Sequence, residues 1–177
     1  MIDIDMLVRW LHIVVGVMWI GLLYYFNFVQ VPALAQATAE AGSGGPGGAA
    51  ITKYVAPRAL FWFRWAALAT WLSGAFYLES APQYSLAGAF SLGVGSGNLS
   101  LTCIGLGAWL GTIMLFNVWA LIWPNQKKIL GLVQASDDEK ARARRVAFLA
   151  SRTNTMLSIP MLMFMQASNH KLPFFMN

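Results

Sequence analysis

The chain has 177 residues, of which 58% are apolar and only 11% charged, and it carries a net charge of +5. That mix excludes an ordinary soluble domain, in which about a quarter of residues are charged, and points to an integral membrane protein. Cys103 is the single cysteine, so an intramolecular disulfide and a CxxCH attachment site for c-type haem are both excluded.

Four stretches, 6–29, 60–78, 99–123 and 147–167, are apolar and long enough to cross a hydrocarbon core, which takes about 20 helical residues. Backbone groups in lipid must be bonded within their own segment, and the spans lack the alternation of barrel strands. The predicted fold is therefore all-α, one domain forming an integral membrane four-helix bundle.

The first span precedes Ala33-Leu34-Ala35, which looks like a signal cleavage site. The apolar run is too long for a signal, Asp3 and Asp5 oppose a positive leader, and Tyr24, Tyr25 and Asn27 suit a retained helix. Within it lies His12, with Gly16 one turn on and Trp19 two turns on along the same face. Residues 37–50 follow, a run of alanine, glycine and serine around Pro46 that is expected to be a flexible linker.

The second span contains Phe61-Trp62-Phe63-Arg64-Trp65, and 79–98 after it has no lysine or arginine. In the third span Gly107 and Gly111 form a GxxxG pattern that allows close helix approach. The next connection is strongly basic, with Lys127, Lys128, Lys140, Arg142, Arg144 and Arg145. Inside it Ser136-Asp137-Asp138-Glu139 fits a capping box, so a helix should start there and run on into the fourth span, where Pro160 is expected to kink it.

Lysine and arginine near span ends set orientation. Lys53 and Arg58 in the first connection and the basic third connection place both on the cytoplasmic side. Both termini and 79–98 then face the periplasm, across the inner membrane of a bacterium. The basic cluster reads as this topology signal with lipid-headgroup contact, not as a nucleic-acid patch.

His12 and His170 are the only histidines. Counting from Gln30 in span one and Arg152 in span four, each lies eighteen residues from the cytoplasmic boundary. At 1.5 Å per residue both sit about 27 Å from it, just inside the outer face. Equal depth on antiparallel helices suits one iron between them, so haem b with His12 and His170 as axial ligands, beside Gly16 and Trp19, is the leading site. Two alternatives stay open: a histidine that only hydrogen-bonds at the interface, and Met163 or Met165 in place of one histidine. Zinc or copper is poorly served, since Glu79, Asp3 and Asp5 are the only carboxylates near that face.

A second polar group gathers near the cytoplasmic face: Arg64, Asn117, Arg152 and Asn154. Arg64 either snorkels to the headgroups or, with Arg152, binds an anion such as a planar acidic substrate or the propionates of a second haem.

Several linear motifs resemble those of the membrane-bound urate hydroxylase domain. They include Leu11-His12-Ile13 with Gly16, Trp19 and Gly21, Pro57-Arg58-Ala59-Leu60, Phe63-Arg64-Trp65, Asn117-Val118-Trp119, Trp123-Pro124-Asn125-Gln126-Lys127-Lys128, and Arg152-Thr153-Asn154 through Pro160-Met161 to Ser168-Asn169-His170. The first span is also similar to those of membrane protoporphyrinogen oxidases and copper-resistance membrane proteins, among which are haem b binders; this implies haem at His12. Better-known members of the urate hydroxylase family carry a C-terminal cytochrome c domain. This sequence has no such motif before Asn177, so electrons are expected to leave through a separate periplasmic cytochrome c or a quinone. The implied function is a membrane redox protein; the alternative is an accessory or structural subunit of a larger respiratory or photosynthetic complex.

Overall fold

The structure, a computed structural model, describes residues 4–168; the expected ligand His170 lies outside them. Helix α1 (Ile4–Tyr24) continues through a π-helical segment, Tyr25–Gln30, into α2 (Val31–Ala41). A π-helical turn, Ile51–Val55, leads into α3 (Ala56–Ser80), followed by the short α4 (Leu86–Phe90). Helix α5 (Leu99–Phe116) passes through a third π-helical segment, Asn117–Ile122, into α6 (Trp123–Ile129), and α7 (Asp137–Ala167) is the last helix among the described residues. Among the described residues there is no strand.

Each π-helical segment ends two residues before a proline: Pro32, Pro57 or Pro124. Proline has no N–H to donate, and its ring presses on the carbonyl one turn back; an extra residue in the preceding turn absorbs both effects. The consequence is continuous rods where a break was open to expectation. Pro160 has helix on both sides.

The rods Ile4–Ala41 and Leu99–Ile129 are long and apolar enough to cross a membrane. The outer surface is apolar on the other long helices as well, with Trp62, Leu72 and Phe76 exposed on α3 and Leu149, Met156 and Ile159 exposed on α7. Such a continuous apolar exterior is foreign to a water-soluble monomer.

Two differences from the sequence expectation have simple causes. The stretch 37–50 is not a linker throughout: it is helical at both ends, and only 42–48 leaves the helix, with Gly44 and Gly47 at φ of 88° and 66°. Alanine, the best helix former, carries α2 beyond the apolar run. Residues 79–98 are also more ordered than a plain connection. Helix α4, capped by Ser85, lies against α5, where Gly105 leaves room for the Ala89 carbonyl and the Trp109 indole donates to Phe90 O at 3.0 Å.

Helix α1 packs chiefly on α3 and α5 chiefly on α7, while α1 and α7 touch sparsely. Small residues line the inward face of α7: Ala143, Ala147, Ala150, Asn154 and Ser158 are buried at spacings of three and four. In lipid there is little hydrophobic drive between helices, so close packing and polar bonds hold them, each such bond contributing about 0.6 kcal/mol on average. A seam of these bonds runs along α7. Tyr24 Oη lies 2.9 Å from Ser158 Oγ, Asn27 Nδ2 donates to Ser151 Oγ at 2.8 Å, and Asn117 Nδ2 donates to Asn154 Oδ1 at 2.8 Å. The capping box expected at Ser136 and Glu139 is present.

Candidate functional site: a cavity beside His12

His12 faces α3, and its Nδ1 lies 2.8 Å from the Thr70 carbonyl oxygen. A carbonyl only accepts, so Nδ1 carries the proton. In the neutral ring this leaves a lone pair on Nε2, which has no hydrogen-bond partner among the described residues. Ser73 Oγ stands 3.4 Å from Nδ1 but donates to Ala69 O at 2.7 Å. The ring rests on Gly74, where an added Cβ would lie 2.8 Å from His12 Cε1. Sequence spacing placed His12 on the right face but gave no sign of Thr70 or Gly74, except that Thr70, Ser73 and Gly74 are small residues in an aromatic-rich span.

His12 lines a cavity of about 510 Å³ between α1, α3, α5 and α7. That volume is within the range of sites for organic ligands. Gly16 and Trp19, expected beside His12, both line it, and so do Gly74, Gly111 and Met161. Its side wall includes Ile13, Val17 and Leu162, which are exposed on the outer surface, so the cavity opens sideways between α1 and α7. Trp19 is only 2% exposed, and its Nε1–H has no acceptor among the described residues. Met165 lines the cavity, whereas Met163 is exposed and forms no part of its wall. No group of three or more His, Cys, Asp or Glu side chains able to hold a bare metal ion occurs among the described residues.

The GxxxG glycines face inward. Gly107 receives Met165, whose Sδ would lie 3.2 Å from an added Cβ, and Gly111 opens into the cavity. They create internal room and offer no free surface to another protein.

Of the four residues grouped near the cytoplasmic side, the structure brings Asn117 and Asn154 into contact. Asn154 is wholly buried, accepting from Asn117 and donating to Met114 O at 3.0 Å. Both ends of its amide are thus used in holding α7 to the third rod. The arginines engage different rings. Arg64 Cζ lies 3.8 Å from the Trp123 ring centroid and 5.2 Å from that of Phe61, and the exposed Arg152 lies 5.0 Å from Phe148 on its own helix. Neither guanidinium is salt-bridged to a carboxylate among the described residues.

The arrangement offers an imidazole with a fixed tautomer on the wall of an apolar chamber, and separately an arginine held by aromatic faces. The model of the urate oxidase N-terminal family matches residues 2–93 and 96–176. No curated protein and no solved structure matches the chain. With nearly every residue covered by that match, the chain belongs to the urate oxidase N-terminal family.

Proposed function

We propose that this chain is a multi-pass inner-membrane redox protein, a four-helix bundle with periplasmic termini that holds haem b and resembles the membrane part of urate hydroxylase. The observation that carries the reading is His12: Nδ1 is tied to the Thr70 carbonyl, and Nε2, without a hydrogen-bond partner among the described residues, stands on the wall of a largely apolar cavity. Histidines that bind metal characteristically donate their other ring N–H to a carbonyl or carboxylate, which fixes the ring and makes the free nitrogen more basic. The residues present fit a haem that His12 would hold, with His170 as its second ligand in this proposal. When bound, haem b supplies a one-electron couple.

The chain's own residues have distinct parts. Thr70 holds the His12 ring by its carbonyl, and Gly74 gives the ring its seat. Gly16 and Gly111 leave space for a flat body, and the apolar walls exclude water. Arg64, without a salt-bridged carboxylate among the described residues and stacked on Trp123, is the group best suited to a planar anion such as urate, with Arg152 as a second cation. Electrons leave to a separate cytochrome or quinone.

The test is the visible spectrum of the purified full chain. A Soret band that shifts on reduction and is lost in His12→Ala is the expected result. No band in either oxidation state, or a band unchanged in that variant, overturns the reading.

A further inference from the structure

The charged and amide side chains that line the cavity beside His12 stand at one end. Among the described residues Arg9 is the sole formally charged one on its wall, three positions before His12 on α1. Tyr77 lies three positions beyond Gly74 on α3, and Gln166 stands near the end of α7. Since α1 runs opposite to α3 and α7, these positions share the outer end of the chamber, past His12. The inner end is lined by Gly16, Trp19, Ile20, Gly111, Met161 and Leu162. Arg9 makes no salt bridge among the described residues, so its guanidinium is open to an acid that enters the chamber.

We propose that Arg9 receives the carboxylates of the ligand that His12 binds, with Tyr77 and Gln166 completing the polar rim. The ligand class is a flat apolar macrocycle bearing carboxylates on one edge, inserted ring first with its acidic edge outward. For haem b this edge is the two propionates, so the inference rests on the haem reading and adds the direction in which the ring is held. Arginine suits the task because its planar fork bonds a carboxylate through two parallel N–H groups, which lysine cannot do. Arg9 is exposed on the protein, so its replacement is expected to leave the helices in place.

The experiment titrates the full chain, purified free of haem in detergent, with iron protoporphyrin IX and with its dimethyl ester, following the Soret band. The unaltered chain is expected to bind the diacid about tenfold more tightly than the ester. In Arg9→Gln that preference should vanish while ester affinity stays the same, and Arg9→Lys should keep part of it. Equal binding of diacid and ester by the unaltered chain, or a preference that survives in Arg9→Gln, overturns the role of Arg9 and leaves haem at His12 standing. If neither porphyrin gives a Soret shift, or if binding is indifferent to His12→Ala, the haem reading fails and this inference fails with it.

Discussion

Gly74 sits so close under the His12 imidazole that even one methyl group would displace it. An added Cβ would be 2.8 Å from Cε1 and 3.0 Å from Nδ1, so the ring would have to shift, which disturbs the bond of Nδ1 to the Thr70 carbonyl. At Gly16, by contrast, the nearest atom to an added Cβ is Thr70 Cγ2 at 3.7 Å, an ordinary contact. On the proposal that His12 holds haem, Gly74→Ala is expected to weaken that binding roughly tenfold, the lower part of the 1–3 kcal/mol cost of overpacking, although alanine is the better helix former. Gly16→Ala should change it little. Soret titration of both variants checks this, and equal affinities would show that the seat of the ring does not matter. His12, Gly16 and Trp19 could be read together from the sequence because helical spacing alone puts them on one face. Thr70 and Gly74 could not, since which face of α3 meets α1 is decided by packing. Asn117 and Asn154 could be grouped by depth, but that Asn117 donates to Asn154 while Asn154 donates to Met114 O is a pairing that no spacing reveals.

Among the elements, the start of α7 is the one most plainly written in the sequence. Ser136 Oγ accepts from Glu139 N at 3.2 Å, Glu139 Oε2 accepts from Ser136 N at 2.9 Å, and Lys128 at the end of α6 lies 3.8 Å from the same carboxylate. The Ser136 backbone N–H first, and then Lys128, hold the Glu139 carboxyl below its ordinary range. A folded-state value below the unfolded one means that the contribution to stability is complete above the unfolded value and is lost as pH falls through the folded one. Acidification through and below the ordinary glutamate range should thus loosen the α6–α7 connection. Ser136→Ala should do the same at neutral pH, at a cost of about 1 kcal/mol. Lower amide protection over 130–137, relative to the intrinsic exchange rate at each pH, is the expected readout in both cases; protection independent of pH would remove Glu139 from the account. The π-helical segments were harder to foresee. Their prolines were in view, but a proline after a long apolar run is equally compatible with a break, and only the packed rods settle which way each one goes.

For the molecule as a whole, composition and spacing were enough to give an all-helical chain with an apolar exterior, because lipid leaves the backbone few alternatives. The cavity was not legible. It arises where the α1–α3 pair and the α5–α7 pair diverge, and it depends on glycines that the sequence alone reads as contact points between helices. Its side opening between α1 and α7, flanked by Ile13, Val17 and Leu162, has a consequence for how a ligand arrives. A planar apolar molecule partitions into the bilayer first and finds the opening by diffusion in two dimensions, so its effective concentration is moles per mole of lipid. Diluting the protein with buffer at fixed lipid-to-protein ratio should leave occupancy unchanged, whereas adding empty vesicles should drain the site. Spectroscopic titration in vesicles separates the two, and occupancy that follows the aqueous volume instead would mean that loading occurs from the water side. Such a protein would sample the membrane as its reservoir.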